Sequence, residues 1–430
     1  MYLIINIVGL IIFLAIAVLF SKDRRNIKWK SVIIMALFNL VLAWFLTSFP
    51  IGRAMVEAAA NGFTELVAVA YKGIGFAVAD WVSVKQMNFF TSALLPILLI
   101  VPLFDILTYF GILPFIIKWI GIVLAKLSGQ PKFESFFSVE MMFLGNTEAL
   151  AVSSLQLKRM KAERNLTLAM MSMSCVTASL IGVYTSMMPG QFILTAVPIN
   201  VINALIITNI LNPVDVTPEE DVIATIGGEA LPVEGQDVAS GSEALAQEIA
   251  ENDKTQDVQQ QTKREPFFSF LGDSILNAGK LILIIAANVI AFVALAALVD
   301  KILMMFNPWL TLEHILGIIL YPFAWLMGVE PKDVFPLAQY MGTKLVTNEF
   351  VVMGEVTTKI SSFAPHYRAV LTVFLTSFAN LSTIGMIIGC FKGLVDREKN
   401  DLIAKNVPYL LLSGVLVSLV SAATVGLFVW

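Results

Sequence analysis

Eight long, largely apolar stretches, each at least 18 residues, constrain this 430-residue chain more than any other feature: residues 3–20, 31–49, 90–112, 166–188, 191–211, 274–305, 367–391 and 406–429. A helix rises 1.5 Å per residue, so each stretch is long enough to cross the roughly 30 Å hydrocarbon core of a bilayer. Backbone inside lipid must satisfy its own hydrogen bonds, and the stretches read as transmembrane helices. Composition agrees: 57% of residues are hydrophobic and 14% charged, against roughly 25% charged in a soluble domain. The first stretch lacks a charged leader and a small-residue cleavage site, and it reads as a retained span. Residues 51–88 are only moderately apolar and are expected to form interfacial helices, and 111–132 reads as another.

Two further blocks are apolar but interrupted. In 133–158 the sequence Gly145-Asn146-Thr147-Glu148 sits between apolar arms of about ten residues, each spanning only about 15 Å as a helix. Thr347-Asn348-Glu349 interrupts 331–356 in the same way. Each block predicts a re-entrant hairpin, two short helices meeting at a polar tip, covered by protein or a wet cavity. Each is followed by a hydroxyl-rich span, with SMSCVTAS at 172–179 and TSFANLST at 376–383. Paired broken segments in two halves of a membrane protein point to a transporter's binding site near the bilayer midplane.

The expected fold is therefore an all-α integral membrane protein with about eight transmembrane helices and two re-entrant hairpins in an inverted repeat. Residues 1–88 form N-terminal spans and interfacial helices. Residues 89–212 form a first repeat with hairpin 133–158, and 266–430 form a second with hairpin 331–356. Between them, 213–265 carries 13 acidic residues from Asp215 to Glu265 against Lys254, Lys263 and Arg264, and much of it is expected to be a disordered loop. Basic clusters at 21–30, 158–164 and 392–405 share one side in an eight-span topology, which makes that side cytoplasmic and both termini external.

Several function classes are excluded or weakened. Cys175 and Cys390 are too few for a disulfide framework or metal cluster, and His314 and His366 form no ligand pair. No metal or cofactor is expected. No basic stripe suggests nucleic acid. There is no HExxH, P-loop or nucleophile elbow.

The polar groups of the interrupted segments remain. A carboxylate deep in a membrane costs a few kcal/mol unless paired, solvated or protonated. Glu148 and Glu349 are thus candidates for ligand binding, proton coupling or both; capping a tip helix, or pairing with Lys344, is the structural alternative. Two carboxylates facing one cavity can accept the vicinal hydroxyls of a sugar. Asn146, Thr147, Asn348, Asn380 and Thr383 add amides and hydroxyls, and Phe378 can stack on a base. Taken singly, each is as readily a helix-packing residue. Asp105, beyond Pro96 and Pro102, is either a proton-carrying group or a satisfied side chain near a kink; Glu140 reads as half of an intrasubunit pair.

At GNTEALAV (145–152), GTKLVTNEFV (342–351) and SFANLSTIGMI (377–387), with LNPV at 211–214, the chain resembles the concentrative nucleoside transporter family, most closely its bacterial eight-span members. The resemblance implies a homotrimer in the bacterial inner membrane. Spans three and six would form a scaffold; the two hairpins with spans four, five, seven and eight would form a mobile elevator domain. It implies that Asn146, Thr147 and Glu148 contact the base, that Glu349, Asn380 and Thr383 take the ribose, and that Leu180 and Phe378 line the pocket. Where the family's first tip usually has Gln, this chain has Asn146, a form resembling a purine-nucleoside subgroup. At the two side-chain positions that sodium-coupled members use for the ion, this chain has Met141 and Cys175. Sulfur is a poor ligand for a hard cation, so proton coupling is expected, with Glu148, Glu349 and Asp105 as candidate proton carriers and sodium as the alternative. An intramembrane enzyme using Glu148 and Glu349 as acid and base, and a channel or nucleoside-sensing receptor, are the competing readings.

Overall fold

The computed structural model describes residues 1–84, 87–217, 220–221 and 266–430, and every regular element among them is helical. The loop expected at 213–265 lies outside the described residues apart from 213–217 and 220–221. The chain opens with two apolar helices, α1 (Tyr2–Leu19) and α2 (Trp29–Thr47). Where interfacial helices were expected over 51–88, there is one 28-residue helix, α3 (Pro50–Ala77), and a short α4 (Ala79–Val82). Pro50 occupies the first turn of α3, where its missing N–H costs nothing.

The first unit runs from a π-helical turn (Phe90–Leu94) through α5 (Ile97–Tyr109), α6 (Ile112–Ser128), α7 (Lys132–Leu144), α8 (Asn146–Val152), α9 (Ser154–Arg159), α10 (Ala162–Ser172) and α11 (Ala178–Met187) to α12 (Gly190–Leu211). The second follows the same order: α13 (Phe267–Met304), α14 (Leu312–Leu326), α15 (Pro331–Val346), α16 (Glu349–Val356), α17 (Pro365–Leu375), α18 (Leu381–Leu394), α19 (Arg397–Lys405) and α20 (Val407–Gly426). Both interrupted blocks are therefore bent at their tips, α7 into α8 and α15 into α16.

Three features sharpen or correct the expectations. Spans four and seven are both broken midway. The first unwinds between Ser172 and Ala178, the second between Leu375 and Leu381. Their serines and threonines turn onto nearby carbonyls, as Ser174 Oγ does to Met171 O at 3.1 Å and Thr376 Oγ1 to Thr372 O at 2.7 Å, which favours non-helical backbone. The carbonyls around the breaks are met by side-chain donors. Asn146 Nδ2 reaches Ser172 O, Ser413 Oγ reaches Met170 O, Lys344 Nζ reaches Phe374 O, and Asn200 Nδ2 reaches Thr376 O. Such satisfaction is what permits irregular backbone at membrane depth. The eight spans are thus six continuous helices, α1, α2, α5 with its π turn, α12, α13 and α20, and two broken ones.

Second, α14 fills residues 312–326, a stretch to which the sequence analysis assigns no element. It packs along α15 so closely that a Cβ on Gly342 would lie 2.4 Å from Leu316 Cβ. It stands in the second unit where α6 stands in the first. Third, span three ends at Tyr109, because Gly111 adopts φ 78°, and span six starts at Phe267, just after Pro266.

Burial is uneven. In α12 and α20, 83% and 78% of the most apolar window is buried, against 6% in α13. Gly414 of α20 marks the centre of the buried body. A Cβ there would come within 2.9 Å of Ala379 Cβ and 3.0 Å of Met173 Cβ, so both helix breaks press on α20 at one level.

Candidate functional site

The two hairpin tips and the two helix breaks open onto one cavity of about 450 Å³, closed on the other side by α5 and α13. Asn146, Thr147, Glu148, Leu180, Glu349, Phe378, Asn380, Thr383 and Asp105 all line it. Residues that lie as much as 278 positions apart, from Asp105 to Thr383, thus meet in one space. Among the described residues four carboxylates, Asp105, Glu148, Asp273 and Glu349, line the cavity, and no Lys, Arg or His does. Such a wall favours a ligand rich in hydrogen-bond donors and repels an anion.

The second tip is built around Glu349, which is 2% exposed. Its Oε1 accepts from the Tyr184 hydroxyl at 2.8 Å and its Oε2 from Asn380 Nδ2 at 3.1 Å. Asn380 is fixed in turn, because its Oδ1 caps α18 by accepting from Thr383 N at 2.9 Å and Thr383 Oγ1 at 3.0 Å. Asn348 Oδ1 caps α16 through Val351 N at 3.1 Å. Both helix starts are thus closed by their own N-cap residues. Lys344 is fully buried, and the alternative of a direct ion pair with Glu349 is not realised. Its Nζ donates to Phe374 O and to Ser377 Oγ, each at 2.6 Å, and sits 4.6 Å from the Phe374 ring centroid.

The first tip turns at Gly145, with φ 102° and ψ 170°, a conformation essentially reserved for glycine. A Cβ there would lie 2.9 Å from Glu148 Oε2 and 3.2 Å from Thr177 Cβ. Asn146 is buried and donates to Ser172 O at 3.3 Å, while its Oδ1 accepts from Thr147 N at 2.9 Å. Glu148 is exposed to the cavity and accepts from Thr147 Oγ1 at 2.6 Å. Met141 and Cys175 are both buried; Ser172 Oγ donates to Met141 Sδ at 3.4 Å, and Cys175 Sγ to Met171 O at 3.7 Å.

Glu140 lacks the expected ionic partner among the described residues. One carboxylate oxygen accepts from Ser153 Oγ at 3.0 Å and the other has no partner. Asp105 accepts a short bond from Ser274 Oγ of α13. Tyr184 and the wall formed by Asp273, Ser274, Asn277 and Asn288 were not among the residues expected at the site. Tyr184 stands one helical turn beyond Leu180, and that spacing was the available signal. The α13 residues are isolated polar groups in a strongly apolar span, and such groups are a signal in themselves.

A chain with broken helices, re-entrant tips and a carboxylate-lined cavity between them is built as a membrane carrier, and its sequence is specific enough to say which kind. Residues 192–426 match the family model described as the C-terminus of the Na+ dependent nucleoside transporters. Residues 8–81 match the model of their N-terminus, and 90–190 match a gate domain described as nucleoside recognition. The chain belongs to the concentrative nucleoside transporter family, a family of multi-pass membrane transporters and not of enzymes. It is 44% identical to the purine nucleoside transport protein NupG of Bacillus subtilis over 430 residues, covering 100% of both chains. It is 25% identical to the nucleoside permease NupC of Helicobacter pylori, over 99% of this chain and 97% of that one. The solved structure of CNTnw in an inward-facing, substrate-bound state shares the fold, with a TM-score of 0.86, 24% identity and coverage of 100% of this chain and 98% of that one.

Proposed function

We propose that the chain is a proton-coupled importer of nucleosides, with purine nucleosides preferred. The observation that carries the reading is the convergence of Glu148, Glu349, Asn380 and Thr383 on one cavity. Glu349, oriented by Tyr184 and Asn380, accepts the ribose hydroxyls together with the Asn380–Thr383 pair. Asn146, Thr147 and Glu148 meet the base, with Leu180 and Phe378 on its faces. The purine preference draws support from the 44% identity to a protein named for purine nucleoside transport and from the short amide of Asn146.

The proton is favoured by what surrounds the first helix break. Met141 offers a thioether, and the Cys175 thiol is turned onto Met171 O. Neither suits a hard cation, which leaves Glu148, Glu349 and Asp105 as proton carriers. Sodium is the second reading, favoured by the family's description as Na+ dependent. The uneven burial supports a division into a scaffold containing α5 and α13 and a mobile body made of the hairpins, both broken spans, α12 and α20, moving as an elevator. The assembly is a homotrimer, and both termini face outward.

Uptake of radiolabelled inosine, guanosine, uridine and cytidine into proteoliposomes, with proton and sodium gradients imposed separately, tests the reading. Concentrative purine uptake on the proton gradient is expected. Concentrative uptake on a sodium gradient at clamped pH would replace the proton by sodium. A ligand recovered chemically altered, or equilibrated without accumulation, would end the importer reading.

A further inference from the structure

Five polar side chains lie between Phe270 and Val299 of α13: Asp273, Ser274, Asn277, Lys280 and Asn288. Four of them line the cavity, and Lys280 does not. Asn277 and Asn288 are eleven residues apart, which places them on one helix face, about 20° apart in azimuth and about 16 Å apart along the axis. Leu281 and Ile284 lie between them on the same cavity wall. The residues that point elsewhere, such as Leu276, Leu283 and Ile290, are exposed and apolar.

Asparagines in membrane helices commonly bond to a neighbouring helix. Among the described residues, neither Asn277 nor Asn288 has a side-chain hydrogen-bond partner, whereas Ser274 in the same stripe is bonded to Asp105. Two amides are thus presented, unpartnered, to a cavity whose opposite wall is the pair of hairpin tips. Each offers one acceptor and two donors, the complement of a heterocycle edge or a ribose hydroxyl.

We propose that Asn277 and Asn288 are two substrate-contacting stations on the wall facing the tips, one toward each end of the nucleoside's path, with Leu281 and Ile284 as an apolar sill between them. This rests on the reading of the cavity as a nucleoside site. A nucleoside is shorter than the spacing between the two amides, so it meets them in turn. The tips hold the ligand throughout, and each amide replaces water on the ligand's free side at one position of the moving body. The sill offers no such bond and disfavours a halt midway.

The test is sided kinetics in oriented proteoliposomes, with inosine presented to one face at a time, for wild type, Asn277→Leu, Asn288→Leu and the amide-retaining Asn277→Gln and Asn288→Gln. Each Leu variant is expected to raise KM about fivefold at one face, the magnitude of one lost hydrogen bond. The two variants should affect opposite faces, and each Gln variant should recover part of the loss. Wild-type KM at both faces in both Leu variants, or an equal shift at both faces, would overturn the proposal. If a Leu variant fails to insert, Asn→Ala at that position is read by the same criterion. Failure of wild type itself to transport inosine would instead remove the nucleoside reading, so the two failures are distinguishable.

Discussion

The two hairpin tips carry the same acid in the same place and treat it differently. Glu349 is 2% exposed, with each carboxylate oxygen held by a separate element, Tyr184 of α11 and Asn380 ahead of α18. Glu148 opens into the cavity, and its side-chain bond comes from its own neighbour, Thr147. The turns differ as well. The second tip uses Asn348 to cap its returning helix, while the first relies on the backbone freedom of Gly145. An acid held from two sides is preorganised for one ligand geometry. An acid facing the cavity retains acceptor capacity for what enters, whether a base edge or a proton. The near-symmetry of the sequence thus conceals a division between a fixed reader and an adaptable one.

The largest expected effect falls on the fixed reader. Glu349→Gln keeps the shape but loses the charge and one acceptor, which should weaken nucleoside binding by about 3 kcal/mol, roughly 150-fold. Equilibrium binding of inosine to the detergent-solubilised variant measures it. Affinity within twofold of wild type would remove Glu349 from the ligand and, with it, the proposed asymmetry. Next is Gly145→Ala. It adds a Cβ 2.9 Å from Glu148 Oε2 in a backbone conformation that side chains avoid, at a cost of about 2 kcal/mol. Because the penalty is local to the tip, uptake should fall about 30-fold while the thermal unfolding midpoint moves little. An unaffected Ala variant would show that the first tip does not need the observed turn.

Much of this was legible in the sequence, and the limits have physical causes. The hairpins could be found because a polar triplet between arms too short to span is incompatible with a simple crossing helix. The breaks in spans four and seven were signalled only by their hydroxyl-rich runs, 172–179 and 376–383, because hydroxyls also serve helix packing and the donors that meet the freed carbonyls come from elsewhere: Asn146, Asn200 and Lys344. Helix α14 was missed because its 15 residues are apolar but too few to suggest a span. The candidate residues of the tips all reached the cavity because each sits at a helix start, where polar side chains are informative. Tyr184 did not stand out, since a single tyrosine in an apolar helix looks like packing until its hydroxyl is seen on Glu349. Lys344 was visible as a charge near the second tip, but its direct partners, Phe374 O and Ser377 Oγ, lie in the broken span and could not be read from the spacing.

Tyr184→Phe sharpens the comparison at intermediate size. It leaves Glu349 Oε1 without its buried donor while keeping the ring against Phe350, 5.1 Å away between centroids. Loss of a bond to a charged group predicts about 1.5 kcal/mol, roughly 12-fold in affinity. A loss equal to that of Glu349→Gln would mean that the tyrosine acts on more than the carboxylate.

Thr147→Val is the matching test on the adaptable side and should have the smallest effect. Valine preserves the branched shape and leaves the Thr147 N–H to Asn146 Oδ1 bond in place, so the tip backbone has no reason to move. What disappears is the 2.6 Å donor to Glu148 Oε2. That oxygen faces a cavity in which water or the ligand can replace the lost donor, so little of the bond's worth is forfeited. Affinity for inosine should drop by no more than about threefold, well under 1 kcal/mol. The ratio of the two losses, Tyr184→Phe over Thr147→Val, is therefore the quantity to measure. A ratio of about four supports one rigid and one adaptable acid. A ratio near one would mean that Glu148 is as tightly positioned as Glu349 and that the exposure of its carboxylate has no consequence for binding.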